Sequence, residues 1–147
     1  MHTIDEHAPV VVRLSTVIDA PLATVWELHT AVDAWPAWNP GVESARLDGP
    51  LRTGASFTWR THGLDITSTV REVVPGERIV WGGGPSAGIT GIHVWAFEGT
   101  GDQVTVRTEE SWSGAPVDAQ PDELRSALHQ SLETWLSALK SRAEQSH

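Results

Sequence analysis

The most regular pattern in the chain is a spacing of three or four residues between apolar positions near its C-terminal end. Between residue 121 and about residue 142, this spacing connects Leu124, Leu128, Ser131, Leu132, Trp135, Leu136 and Leu139. Such a spacing places one apolar stripe along one face of an α-helix. Pro121, followed by Asp122 and Glu123, suits a helix start, because proline fits the first helical position and carboxylates favour the positive end of the dipole. The pattern predicts one long amphipathic helix.

Most of the chain before this helix alternates between apolar and polar positions, as half-buried β-strands do. We expect seven strands, at residues 10–18, 42–47, 55–61, 65–74, 77–82, 88–98 and 103–113. Two short helices are expected after the first strand, one opened by Pro21 and one formed by a single turn within residues 33–40. Short connections make the later strands antiparallel neighbours. Residues 82–87 are expected to form a turn, and residues 114–120 a looser hinge.

These elements predict an α+β fold in which a long C-terminal helix lies against a seven-stranded curved antiparallel sheet. The 147 residues correspond to one domain, and no repeat or linker divides them. The folded part is expected at about residues 10–143. Residues 1–9 lack the apolar segment of a signal peptide and are expected to form a flexible tail.

Composition and charge exclude several classes of function. The chain has no cysteine, which rules out disulfides, thiolate zinc sites and cysteine nucleophiles and fits a cytoplasmic protein. A net charge of −9 without a basic block argues against nucleic acid and anionic membranes as partners. No segment has transmembrane length, so stable membrane insertion is not expected. Whether the chain is a monomer or a homodimer stays open.

Eight tryptophans beside two phenylalanines and no tyrosine are an unusual aromatic content. They either fill the core or wall a cavity between the sheet and the long helix, where a flat apolar ligand would bind. The candidate ligand-binding residues are Trp26, Phe57, Trp59, Ser68, Trp81, Trp95, Trp112, Ser131 and Trp135. The two serines would either orient a ligand hydroxyl or carbonyl, or only leave room for a neighbouring side chain.

Two residues on adjacent predicted strands are candidates for proton transfer. In the last strand Glu110 shares a face with Val104, Val106, Thr108 and Trp112, which is the more apolar face. In the preceding strand His93 shares a face with Trp95 and Phe97. A carboxylate facing an apolar cavity has a raised pKa, and a neutral imidazole beside it can carry a proton at neutral pH. Alternatively, Glu110 is solvated or paired with an arginine, and His93 is a hydrogen-bonded core histidine.

Other local motifs do not predict a site. The segment Gly84-Pro85-Ser86-Ala87-Gly88 matches the pattern of a nucleophile elbow, but a strand follows it where that motif requires a helix. The seven histidines include no pair at metal-binding spacing, so no metal is expected, and no organic cofactor is expected either.

Four segments carry a resemblance to a known family: residues 20–26 (APLATVW), 35–42 (WPAWNPGV), 75–81 (PGERIVW) and 95–98 (WAFE). With the order of elements, they resemble the START-like superfamily, also called SRPBCC, and within it the polyketide cyclase/dehydrase family. The resemblance implies a helix-grip fold with a ligand cavity, but no shared catalytic set that can be transferred to these positions. Members include aromatase/cyclases, lipid and hormone carriers, ring-hydroxylase subunits and chaperone activators.

Three functional hypotheses follow from the cavity and the resemblance. The first is binding of a small hydrophobic ligand, aromatic or polycyclic, in the cavity. The alternative is a polyketide cyclase, aromatase or dehydratase that catalyses aldol cyclisation there, with Glu110 and His93 as proton-transfer groups. The third is a regulator that binds a partner protein through its surface.

Overall fold

Seven strands and one long helix form most of the structure, a computed structural model that describes residues 2–145 and all of their side chains except those of Pro85 and Ser86. The strands are β1 (Val10–Ile18), β2 (Ser44–Asp48), β3 (Ser56–Thr61), β4 (Leu64–Val74), β5 (Arg78–Ser86), β6 (Ile89–Thr100) and β7 (Gln103–Ser113). The helices are α1 (Leu22–Thr30), a 3-10 turn at Val32–Ala34, α2 (Trp35–Trp38), α3 (Ala115–Ala119) and α4 (Pro121–Gln145).

All seven strands belong to one antiparallel sheet in the order β1-β7-β6-β5-β4-β3-β2. A register shift between Val70 and Glu72 in β4 marks a bulge, a feature that bends a strand and curves its sheet. Helix α4 lies across the inner face and approaches the sheet most closely at β1. The predicted α+β, helix-grip fold is confirmed. Because α4 stands away from the middle strands, long side chains must fill the space beneath it.

Aromatic side chains fill much of that space. Trp35 and Trp95 are completely buried. The ring of Trp35 lies 4.9 Å from that of Trp135 and 5.3 Å from that of Phe57, in edge-to-face contacts typical of aromatic pairs. Some of the tryptophans therefore fill the core, which is one of the two roles expected from the sequence.

Two segments expected to be irregular contain secondary structure. Strand β5 continues to Ser86, so the expected turn at residues 82–87 shortens to the tight connection before Ile89. Glycine permits this because a Cβ at Gly83 would lie 2.3 Å from the carbonyl oxygen of Thr67, where the backbones approach closely. The expected hinge at residues 114–120 contains helix α3, which follows Gly114 with its φ of 128°.

The N-terminal segment was expected to be a flexible tail, whereas in the structure it lies against the outer face of the sheet. Ile4 is only 5% exposed and packs with Val80 and Val94. The backbone N–H of Asp5 donates a hydrogen bond to Ser111 Oγ at 3.0 Å. Burial of Ile4 on outward-facing valines stabilises this contact, because it removes apolar surface of both from water.

Candidate functional site

A cavity of about 160 Å³ lies between the middle strands and helix α4. Its walls combine tryptophan rings and aliphatic side chains with a small polar group of Ser68, His93, Glu110 and Ser131. The complete lining is Trp59, Thr61, His62, Leu64, Ile66, Ser68, Trp81, Gly83, Ile89, Gly91, His93, Glu110, Trp112, Ala127, Leu128, Ser131 and Trp135. An apolar enclosure with a few convergent polar groups is the usual form of a small-molecule site.

Most of the residues predicted from the sequence meet at this cavity. The structure places eight of them in its lining: Trp59, Ser68, Trp81, His93, Glu110, Trp112, Ser131 and Trp135. Strand alternation explains this agreement for the six residues on strands, because residues of one parity share the inner face of the sheet. For Ser131 and Trp135 the explanation is their helical spacing, which places both on the apolar face of α4. Their roles in ligand binding or catalysis stay predictions.

Three predicted ligand-binding residues lie elsewhere in the core. The ring of Trp26 contacts Phe97 edge-to-face at 5.2 Å, and Phe57 packs against Trp35. The ring of Trp95 lies 4.4 Å from that of His29. Phe57 and Trp95 also face inward, but Trp35 of α2 packs over Phe57 and His29 of α1 packs over Trp95. None of the three residues lines the cavity.

Glu110 and His93 form a buried pair at the cavity wall. They lie directly opposite each other in the β6–β7 ladder, and Glu110 Oε1 is 3.1 Å from His93 Nδ1. His93 Nε2 lies 2.7 Å from Thr108 Oγ1. The indole N–H of Trp112 donates a hydrogen bond to Glu110 Oε2 at 2.7 Å. The pair is thus held from both ends by neighbours in the sheet.

Burial determines the charge state of this pair. Desolvation raises the pKa of Glu110 to about 7, against the opposing effect of the Trp112 hydrogen bond. Desolvation, with a smaller contribution from His29, lowers the pKa of His93 well below its usual value. Below about pH 7, the short contact between the two side chains is therefore a hydrogen bond between a neutral acid and a neutral imidazole rather than an ion pair.

Two further features shape the polar part of the cavity. Ser68 Oγ accepts a hydrogen bond from the Trp59 indole at 3.2 Å, which leaves its own hydrogen available to a ligand oxygen. Gly91 sits beneath Trp112, and a Cβ there would come within 3.3 Å of the indole ring. The missing side chain lets Trp112 lie across β6 and reach Glu110.

A second, outer cavity of about 320 Å³ adjoins the inner one. The two share Thr61, His62, Ala127, Ser131 and Trp135, and the outer cavity adds the polar side chains of Asn39, Gln130 and Thr134. The β3–β4 hairpin lines both cavities with His62, whose φ is 50°, and the inner cavity with Leu64, which is 49% exposed. This outer cavity, called the vestibule below, could not be predicted from the sequence, because only the fold brings residues 39–41, the hairpin and α4 together.

His29 is a buried titratable residue that the sequence analysis missed. It is completely buried, and both ring nitrogens lack a hydrogen-bond partner in the described structure. Its ring stacks on Trp81 at 5.6 Å, and burial lowers its pKa to about 3. The side chain is therefore a neutral part of the aromatic core.

Within residues 2–145, no group of three or more acidic or histidine side chains is arranged to hold a metal ion. Within the same residues, no helix is both long and apolar enough to cross a lipid bilayer.

Fold and site together define a helix-grip protein with a small ligand cavity. A model of the family described as polyketide cyclase / dehydrase and lipid transport matches residues 9–144, and the chain belongs to that family. This confirms the resemblance found in the sequence. None of the curated proteins compared with the chain matches it.

Several solved structures share the fold at low sequence identity. A hypothetical protein from Helicobacter pylori has a TM-score of 0.83 and 19% identity, with 97% of both chains covered. A START superfamily protein from Mycobacterium smegmatis has a TM-score of 0.77 and 15% identity over 92% of this chain and 97% of that one. An aromatase/cyclase from a Streptomyces species has a TM-score of 0.73 and 17% identity over 92% and 93%. At these identities the likeness extends to the fold alone.

Proposed function

We propose that the protein binds a small aromatic molecule in the inner cavity, with its polar group directed at Glu110, His93 and Ser68. The observation that carries this proposal is the cavity itself, which tryptophan rings enclose and one polar cluster interrupts. Family membership supports it, since the family description includes both cyclisation and lipid transport.

The volume of the inner cavity limits the ligand. An apolar cavity of about 150 Å³ is known to admit benzene, whereas pockets for drug-sized molecules measure about 300–1,000 Å³. The inner cavity, at about 160 Å³, therefore fits one aromatic ring. A polycyclic ligand, which the sequence left open, would have to extend into the vestibule or displace tryptophan rings.

Quenching of tryptophan fluorescence tests ligand binding directly. Phenol, 2-naphthol and a three-ring hydroxyanthracene would be titrated into the wild-type protein, and phenol should bind with the highest affinity per non-hydrogen atom. Ser131→Leu places a larger side chain in both cavities and should weaken phenol binding by about tenfold or more.

Ser126→Leu makes the same change at an exposed position of α4 outside the cavity lining and should leave affinity unchanged. Equal affinities of the two variants, or no saturable quenching by any of the three compounds, would contradict the proposal.

A second candidate function, favoured by the Glu110–His93 pair, is an acid–base enzyme of the cyclase or dehydratase type. Loss of water from a β-hydroxy ketone requires a base that removes the proton next to the carbonyl and an acid that protonates the leaving hydroxyl. The buried pair offers both functions at the wall of the same cavity. A general base or acid acts best when its pKa lies near the working pH, as that of Glu110 does at about 7.

Dehydration of 4-hydroxy-4-phenylbutan-2-one tests this activity. The probe has one aromatic ring and a short chain, and its dehydrated product absorbs strongly in the near ultraviolet. Glu110→Gln keeps the size and the hydrogen bonds of the neutral acid but cannot transfer a proton, so it should retain binding and lose turnover. His93→Ala should also retain much of the binding and lose turnover. Equal rates in wild type and Glu110→Gln would refute the enzyme hypothesis without affecting the binding proposal.

A further inference from the structure

Behind Glu110, His93 and Thr108 form a chain of short polar contacts that bears on which nitrogen of His93 carries its hydrogen. Thr108 is completely buried, and its Oγ1 lies 3.2 Å from the carbonyl oxygen of Val94 and 2.7 Å from His93 Nε2. The single hydroxyl hydrogen of Thr108 can be donated either to the Val94 carbonyl, which only accepts, or to Nε2 of an imidazole whose hydrogen is on Nδ1. The first arrangement is the one in which a protonated Glu110 finds an acceptor at Nδ1. Thr108 Oγ1 then accepts from His93, which requires that Nε2 carries the imidazole hydrogen.

The other side of the imidazole follows from this assignment. With its hydrogen on Nε2, neutral His93 presents a lone pair at Nδ1, 3.1 Å from Glu110 Oε1. An ionised carboxylate would face that lone pair without a hydrogen between them, whereas a protonated Glu110 donates its hydrogen to Nδ1. The Trp112 indole can only donate, and it donates to Oε2, so the hydrogen of Glu110 belongs on Oε1.

We propose that Thr108 is a positioning residue, which holds His93 as the Nε2–H tautomer and so keeps one proton between Glu110 Oε1 and His93 Nδ1. Every polar atom of the network then has a partner: Trp112 donates to Glu110, Glu110 to His93, His93 to Thr108 and Thr108 to Val94. The hydrogen-bond network ends at the backbone carbonyl of Val94, which can only accept. In this arrangement, the direction of donation along the network is therefore set by the strand backbone and not by a titratable group.

The consequence for catalysis rests on the proposed acid–base function. Glu110 Oε2 keeps one lone pair beyond its hydrogen bond from Trp112, and this lone pair accepts a proton from the carbon next to the ligand carbonyl. The hydrogen on Oε1 passes to His93 Nδ1, and the electron pair of the broken C–H bond stays on the ligand as an enolate. The proton on Oε2 then passes to the leaving hydroxyl, which departs as water as the electron pair of the enolate forms the carbon–carbon double bond. The proton on His93 Nδ1 returns to Glu110 Oε1 and restores the starting state.

Few other titratable groups surround this network. His62 of the β3–β4 hairpin lines the same cavity, and His29 of α1 lies on the other side of Trp81 and Trp95. Burial keeps His29 neutral, since its pKa is lowered to about 3. The titration of the Glu110–His93 pair can therefore be followed without an overlapping change at His29.

The tautomer of His93 can be measured in the ligand-free protein, so that its failure is distinguishable from a failure of the proposed function. In 15N-labelled protein at pH 6, long-range 1H–15N correlation spectra separate an imidazole nitrogen that carries hydrogen from one that does not. The His93 signals are assigned by their loss in a His93→Asn variant. We expect hydrogen on Nε2; hydrogen on Nδ1 in the wild type would overturn the proposal by itself.

Substitution of Thr108 tests its role. Thr108→Val keeps the shape but removes the acceptor, so His93 should move its hydrogen to Nδ1 and donate to an ionised Glu110. The pKa of Glu110, followed by its carboxyl 13C signal, should then fall by about one unit or more. Thr108→Ser keeps the hydroxyl and should preserve both the tautomer and the titration.

Thr105→Val is the matched control, because it makes the same change on the outward face of the same strand. An unchanged tautomer and an unchanged Glu110 titration in Thr108→Val would refute the positioning role. If that variant does not fold, the wild-type tautomer still decides the proposal. Where the dehydration assay shows turnover, Thr108→Val should lower kcat by about tenfold or more at similar KM, and Thr108→Ser should not.

Discussion

Replacement of Glu110 by Gln should make the protein more stable at neutral and alkaline pH. The folded protein binds the Glu110 proton up to a pKa of about 7, whereas the unfolded chain releases it around the ordinary value of 4.5 for a glutamate. Between these two values the folded state binds more protons, so the stability that the buried acid contributes is complete below about pH 4.5 and is lost as the pH rises through 7. A shift of this size corresponds to about 3 kcal/mol, because one pKa unit is worth about 1.4 kcal/mol.

The Glu110→Gln variant would reproduce the neutral acid without the titration. The new amide can donate to His93 Nδ1 and accept from the Trp112 indole, as the protonated carboxyl does. Relative to the wild type, Glu110→Gln should therefore gain about 3 kcal/mol of unfolding free energy between pH 4.5 and pH 8. Burial of the pair is what makes the effect this large, since the Glu110 side chain is only 16% exposed.

Urea unfolding followed by tryptophan fluorescence at several pH values between 4.5 and 8.5 measures this difference. Glu109→Gln is the matched control, because Glu109 lies on the outward face of the same strand and pairs with Arg13 at 2.6 Å. That variant should not show the gain. A difference between wild type and Glu110→Gln that stays constant across the pH range would refute the protonation state assigned to the pair.

Three further substitutions have defined outcomes. His29→Leu should protect the protein in acid, because the wild type loses about 5 kcal/mol as the pH falls from 6.5 towards the lowered pKa of about 3; thermal melts at pH 4 and pH 7 measure this. Trp112→Phe removes the hydrogen bond that lowers the pKa of Glu110, so the carboxyl 13C titration should move above pH 7. Ile4→Ala should lower the unfolding free energy, measured in urea, by about 2 kcal/mol, because it leaves a gap on the outer face of the sheet. An unchanged unfolding free energy would show that the N-terminal segment does not contribute to stability.

The elements that could be predicted from the sequence are those whose periodicity is set by one buried face. Helix α4 begins at Pro121 as predicted, and β7 spans Gln103–Ser113 as predicted, because each buries a single regular face. The same alternation placed His93 and Glu110 on the inner faces of neighbouring strands. To predict that the two residues pair across the β6–β7 ladder, only a tight turn between the strands has to be added, because the turn fixes the register.

Which of the inward-facing residues reach the cavity could not be predicted from strand alternation. Trp95 and His93 have the same parity on β6, yet one is packed beneath His29 and the other reaches the cavity. The difference depends on where α1 and α2 insert side chains, which alternation within one strand does not report. The N-terminal contact was missed for a related reason: Val80 and Val94 face outward, and only the fold shows that Ile4 covers them.

The same residues supply a physical argument for the acid–base role proposed for Glu110. At neutral pH burial of this acid costs about 3 kcal/mol, a large share of the roughly 5–15 kcal/mol by which a typical domain is stable. A glutamine at this position would supply the same two hydrogen bonds, to His93 and from Trp112, without that cost. A purely structural role is therefore met better by the amide. What the carboxyl adds is an exchangeable proton near neutral pH at the wall of an apolar cavity, which is what acid–base catalysis on a bound ligand requires.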